Sequence, residues 1–282
     1  GAFTLLKLAK YADPGLRERA AGELADAYGE ALRKFAALGA EWVQLDEPCL
    51  VTDLSAEDLE LFRELYGRIL AAKGPLKALV QTYFGDVRDG YETLLRLPFD
   101  GIGLDFVEGR KSLALVERHG FPADKTLFAG VVNGKNIWRN EYGRTAELVR
   151  RLRKHAPNIA LGTSCSLLHV PYTVQQETKL PADVLRHLAF AEEKLEELAD
   201  LKTIVAADAP ARRTPSRDAG AADALARNAA LFAGIRCARN EAVRARVANL
   251  AEDDFRRSPA FAEREAIQRE KLSLPPLPTT TI

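Results

Sequence analysis

The sequence predicts an α/β protein, an incomplete (β/α)8 TIM-type barrel of about six βα units followed by a helical, Pro-rich segment. Three observations carry this reading. Six short apolar, β-branched or aromatic runs alternate with longer segments of helical period. Polar residues gather just after the runs, where a βα barrel places its working groups. The competing doubly wound sheet normally carries G-x-G-x-x-G after its first strand, and that pattern does not occur; Gly101-Ile102-Gly103 lies inside a run and reads as close packing. Six runs fall two short of a closed barrel, whose usual size is about 250 residues.

The first run is Phe3 to Leu8, read as a strand. Asp13-Pro14-Gly15 turns the chain into a helix over Leu16 to Leu38, with Leu24, Ala27, Tyr28, Ala31 and Phe35 at helical spacing and Gly39 as its cap. Trp42 to Leu45 is the second run, and Ser55 with Asp58 three residues on opens the next helix as a capping box. Leu76 to Phe84 is the third, Gly101 to Phe106 the fourth, Lys125 to Val132 the fifth and Asn158 to Thr163 the sixth. Helices are expected between them: one through Leu97, one from Gly109 to His119, and one from Thr145 to His155.

Past Pro181 the strand signal fades. Ala182 to Leu201 reads as one amphipathic helix with Glu192, Glu193, Glu196 and Glu197 on its polar side, and Ala219 to Gly234 as another. Pro210 to Arg217 reads as an exposed loop between them. Asn240 to Lys271 is charged and helical, and a proline-rich linker follows. The expected division is a partial barrel over 1–238 and a linker over 239–282.

Composition narrows the function classes. Lys and Arg balance Asp and Glu at 40 each, which removes the broad basic footprint of a nucleic-acid partner. No apolar run reaches the roughly 18 residues of a membrane span. Three cysteines, an odd and sparse set, fit reduced thiols and a cytoplasmic location. The chain contains no methionine, so the expectation is a fragment cut at both ends, with poor solubility from its open strand edges.

The residues after the runs are the site candidates: Asp46, Glu47, Asp105, Asn133 and Cys165, with Thr82, Tyr83, Glu108, Lys135, Ser164 and Ser166 beside them. Asp46-Glu47-Pro48 reads equally as acid/base machinery or as a strand-to-helix turn whose carboxylates accept backbone N–H bonds. Asp105 reads as a cap or cross-strand tie before it reads as a catalyst. Cys165 and His169 are spaced like metal ligands, but two ligands fall short of the three or four that zinc needs, so a buried inert thiol is the first reading. Trp138-Arg139 is either a stacking and anion-binding pair or a packing anchor. G-x-S-x-G, Walker and H-E-x-x-H motifs are absent from the sequence.

Three long motifs then suggest a family: Glu41-Trp42-Val43-Gln44-Leu45-Asp46-Glu47-Pro48, Gly130-Val131-Val132-Asn133-Gly134-Lys135-Asn136-Ile137-Trp138-Arg139, and Ser164-Cys165-Ser166-Leu167-Leu168-His169-Val170-Pro171. With Phe190 to Leu195 and the terminal Leu277 to Ile282, they resemble the amino-terminal half of the cobalamin-independent methionine synthases. Gly1 to Lys10 resembles that family's G-P-x-T-x-L-x-L-x-K strand, with Ala2 in place of Pro. The resemblance implies two fused barrels that move a methyl group from 5-methyltetrahydrofolate polyglutamate to homocysteine. It also implies zinc held by His, Cys, Glu and Cys of a second barrel beyond Ile282, a cytoplasmic and monomeric parent, and no metal or catalytic residues within this chain. Ile282 is the first member of a truncated homocysteine-contact motif, and Cys165 matches the last zinc cysteine in position only. The chain alone is then expected to be inactive, a scaffold that contributes to the folate cleft. Two other readings stand beside this one, a noncatalytic folate-binding or scaffold barrel and an independent acid/base enzyme using Asp46, Glu47 and Asp105.

Overall fold

The computed structural model describes residues 1–13, 15–208, 215–233, 240–276 and 279. They fall into two compact units, 1–236 and 237–282. Ile282 lies outside the described residues, as does most of the predicted loop from Pro210 to Arg217.

The first unit is built on five parallel strands in the order β1-β2-β3-β4-β5: Trp42–Asp46, Lys77–Gln81, Gly101–Asp105, Thr126–Val132 and Ile159–Thr163. Each pairs with its sequence neighbour, as in Leu45 with Val80 and Ile102 with Leu127. Before and between them run α2 (Gly15–Ala37), α3 (Ala56–Ala71), α4 (Tyr91–Arg96), α5 (Ser112–His119) and α6 (Tyr142–Arg153). Every residue of β3 is buried, because a central parallel strand is covered on both faces. The outer strands are more exposed. A groove of 590 Å³ lined by Tyr28, Leu32 and Phe35 of α2 runs along β1 from Val43 to Asp46, and one of 1230 Å³ runs along β5 from Ile159 to Leu161. The sheet is therefore open, and β1 and β5 are not paired to one another.

The first predicted strand is a helix. Ala2–Leu8 forms α1, with Ala2, Phe3 and Leu6 at 2 % exposure or less. Positions 2, 3 and 6 share one helical face, and a short apolar run cannot be told from a strand by periodicity. Tertiary contact decides it, because the Glu47 carboxylate accepts the Phe3 N–H at 2.9 Å and the Thr4 N–H at 2.7 Å, capping the helix from another element. The strands thus number five among the described residues, not six.

The Ser55–Asp58 capping box is present, with Ser55 Oγ accepting the Asp58 N–H at 3.1 Å and Asp58 Oδ2 accepting the Ser55 N–H at 3.2 Å. Asp58 also receives Lys7 of α1 and, at 2.9 Å, Arg17 of α2, joining three helices. Burial raises its pKa, but the bonds from Lys7, Arg17 and Ser55 outweigh it and bring the value from 3.8 to about 2. A depressed acid contributes stability that is complete above its unfolded value and lost as pH falls through the folded one. Asp58→Asn is therefore expected to lose about 2 kcal/mol at pH 7, a deficit that urea unfolding should find shrinking between pH 4 and about pH 2.

The long helix predicted from Ala182 is two, α7 (Ala182–Leu185) and α8 (Ala191–Ala207). Glu193 Oε2 accepts the Phe190 N–H at 3.0 Å and starts α8 afresh. Glu193 and Glu197 are not on its polar side; they are 5 % and 0 % exposed. α9 (Pro215–Phe232) packs on α8 and α6, and its Asn228 accepts the Tyr142 N–H at 2.8 Å and donates to Asn140 O at 2.8 Å. In the second unit the predicted helical segment is divided into α10 (Glu241–Ala248) and α11 (Phe261–Leu272), with a 3-10 turn at Glu252–Phe255 between them.

Candidate functional site

The carboxyl ends of β1 to β5 bring Asp46, Tyr83, Asp105, Asn133 and Cys165 to one edge of the sheet, each just at or after its strand. Their side chains do different things there. Glu47 is fully buried and accepts from Phe3 N, Thr4 N, Thr4 Oγ1 and the Tyr66 hydroxyl, so its carboxylate is consumed in holding α1 and α3. Burial first, then the Glu47 charge, hold the Tyr66 pKa well above its ordinary value, so the phenol stays a donor. Asp46 faces the other way, half-buried, and accepts Gln44 Nε2 at 2.8 Å. Burial and then the Asp46 charge raise the Tyr83 phenol above its ordinary pKa.

Asp105 is 1 % exposed and ties two strand ends together. Its Oδ1 accepts Val107 N at 2.7 Å and Glu108 N at 2.9 Å, and its Oδ2 accepts Phe84 N at 3.0 Å. Burial raises its pKa although these donors oppose the rise. Thr82 donates to Gly103 O at 2.8 Å and is likewise buried. Asn133 makes an Asx turn, its Oδ1 accepting Lys135 N at 2.9 Å and Asn136 N at 3.0 Å. At Gly134 a Cβ would meet Cys165 O at 2.4 Å, so only glycine lets these two strand-end loops touch.

Cys165 is buried, with burial the largest cause of a raised thiol pKa. No three His, Cys, Asp or Glu side chains among the described residues converge as metal ligands, so these residues do not fit a zinc site. His169 turns outward against the Phe84 ring, their centroids 5.4 Å apart.

Sequence reasoning missed Phe84, Lys194 and Glu197. Phe84 has a φ of 71°, a property of the backbone that composition does not carry. Lys194 and Glu197 are both 0 % exposed and pin the Asn136–Asn140 loop, Lys194 Nζ to Trp138 O at 3.2 Å and Glu197 Oε1 to Asn140 N at 2.8 Å. Trp138 pairs with Leu188 as an isolated antiparallel bridge, and Arg139 donates from its backbone to His187 O at 3.0 Å and from Nε to Arg186 O at 3.2 Å. Their spacing of three on one helix was the available signal, hidden because two charged residues normally face water.

The model of the cobalamin-independent synthase N-terminal domain matches residues 1–157. The chain belongs to this family. It is 53% identical over 282 residues to the 5-methyltetrahydropteroyltriglutamate–homocysteine methyltransferase of Streptococcus sanguinis (strain SK36) and 48% identical to those of Bifidobacterium animalis subsp. lactis (strain AD011) and Campylobacter jejuni subsp. jejuni serotype O:23/36 (strain 81-176). Each comparison covers 100% of this chain and 36% of the relative, so the chain spans about a third of the length of these cobalamin-independent synthases. A solved B12-independent methionine synthase from Shewanella sp. W3-18-1, in complex with selenomethionine, superposes with a TM-score of 0.42 at 16% identity, over 85% of this chain and 58% of that one.

Proposed function

We propose that this chain is the amino-terminal portion of an enzyme that transfers a methyl group from 5-methyltetrahydropteroyl polyglutamate to homocysteine, forming methionine in the cytoplasm. The observation that carries this reading is 53% identity, without loss of any part of the chain, to a relative named for that reaction. The strand order β1-β2-β3-β4-β5 supports a barrel portion over a doubly wound sheet, whose order reverses at a switch point. β1 and β5 each have one strand neighbour among the described residues, which leaves both outer edges of the sheet available to further strands.

Within this division of labour the chain is scaffold and folate-side wall, and the zinc that activates homocysteine is held by residues elsewhere in a monomeric parent. The acid/base alternative loses ground because both oxygens of Glu47 and both of Asp105 already accept backbone N–H donors, and both residues are buried. A chimera tests the reading, with this chain replacing the corresponding segment of the Streptococcus sanguinis relative. Methionine formation from homocysteine and 5-methyltetrahydropteroyltriglutamate is expected, while the chain alone stays at background with zinc and both substrates present. A folded chimera without turnover would overturn the proposal.

A further inference from the structure

Asn228 is the one buried polar side chain on α9 among the described residues. It shares a helix face with Ala221 and Ala224, three and four positions apart, and all three are 5 % exposed or less. Two alanines present a single methyl group each, and burial stabilises in proportion to the apolar area removed from water. Leu225 adds only a partly buried side chain. The docking of α9 on α6 and α8 therefore depends on what Asn228 does. Segments held by few buried apolar contacts are also those that open below the global unfolding free energy.

Asn228 reaches the turn between β4 and α6. Its Oδ1 accepts the Tyr142 N–H and its Nδ2 donates to Asn140 O, both at 2.8 Å. Glu141 is the N-cap of α6 but its side chain makes no cap bond, so the first-turn amide at Tyr142 is capped by another helix. Asn140 is the meeting point of the other elements. Glu197 of α8 accepts its N–H at 2.8 Å, Val131 O of β4 accepts its Nδ2 at 3.2 Å, and its Oδ1 accepts the Thr145 hydroxyl at 2.7 Å. Both ends of both side-chain amides are thus in use. A buried network with every member satisfied fixes one arrangement, and removing a member leaves groups unpaired.

We propose that α9 is a clasp for the turn after β4: docked, it fixes Asn140 and the start of α6 through Asn228, and undocked, it releases that turn while the sheet stays folded. The device has two positions, because the bonds to Tyr142 N and Asn140 O come from one side chain and are lost together when α9 leaves. It gives control of a strand-end turn to a helix 86 residues further along the chain. It stands independently of methyl transfer.

Native-state hydrogen exchange of the chain, read residue by residue by NMR, tests the clasp. Ala222 is on the exposed side of α9, away from the Asn228 face. Ala222→Gly weakens that helix, so exchange within α9 should quicken about fivefold. Exchange at Asn140 and Tyr142 should quicken by the same factor, while β3 keeps the rates of the parent chain. Asn228→Ala removes both bonds and should quicken Asn140 and Tyr142 by about tenfold or more. Asn228→Asp keeps an acceptor for Tyr142 N and turns the donor to Asn140 O into a second acceptor, so Tyr142 should stay protected while Asn140 exchanges faster. Parent rates at Asn140 and Tyr142 in Ala222→Gly would overturn the clasp, since the turn would then open without α9. Equal quickening of β3 and the turn in Asn228→Ala would overturn it as well, since the whole unit would then be unfolding.

Discussion

Glu47→Ala is expected to lower the unfolding free energy by about 3–5 kcal/mol, because several donors lose their acceptor and each buried unsatisfied group costs about 1–3 kcal/mol. Four donors lose their acceptor at once: Phe3 N, Thr4 N, Thr4 Oγ1 and the Tyr66 hydroxyl. Two of these are first-turn amides of α1, and no side chain of α1 itself caps them. Phe3 is buried against Phe62, centroids 5.4 Å apart, so loosening α1 also opens that contact. Glu47→Gln keeps one acceptor oxygen and turns the other into a donor facing donors, so it should retain less than half of the stabilisation. Tyr66→Phe removes a single bond to a charged group and is expected to lose about 1.5–3 kcal/mol. Urea unfolding of the three variants orders them Ala, Gln, Phe from most to least damaging. Equal midpoints for Glu47→Ala and the parent chain would refute the anchoring role.

The same residue shows what was legible in the sequence. The runs Gly101 to Phe106 and Lys125 to Val132 fall on β3 and β4 because buried parallel strands are continuous apolar runs bounded by turn residues, and Trp42 to Leu45 falls on the outer strand β1, where only Leu45 is buried. Phe3 to Leu8 has the same texture, and nothing local distinguishes it. Its state is set by a carboxylate some forty residues away, which no window over the run contains. The strand-end candidates were legible by position, since a βα unit delivers the residue after each strand to one edge of the sheet. Their roles were not, because Asp46 and Glu47 are neighbours of the same charge and differ only in which way the chain turns them. One accepts a surface glutamine and the other caps a helix. The division of α8 from α7 depended on Glu193 reaching back to Phe190 N, a capping bond whose acidic residue looked like one more member of a solvated face.

Lys194→Ala should cost about 1–3 kcal/mol, because it removes the buried ammonium that bonds Trp138 O and that, together with Arg139, attracts the Glu197 carboxylate. Both side chains are 0 % exposed, and Glu197 Oε2 accepts no hydrogen bond. Burial is the largest influence on each, raising the pKa of Glu197 and lowering that of Lys194, and their mutual attraction opposes both shifts. A solvated helix face predicts the opposite, a change within about 0.5 kcal/mol. Glu197→Gln preserves an acceptor for Asn140 N and should be the milder single variant. The double variant Lys194→Met with Glu197→Gln removes both buried charges and keeps that acceptor, so it should lose less than the sum of the singles, with a coupling of about 1–3 kcal/mol. Additive losses would mean that the two charges do not sense each other. The loop gives an independent readout, since Lys194 holds Trp138 O and Glu197 holds Asn140 N. Amide exchange in residues 137–140 should quicken in Lys194→Ala more than exchange in β3, whose residues are all buried. The loop from Trp138 to Asn140, just past Asn133 and Lys135 in the chain, is thus held by two buried charges that a solvent-facing helix would not need.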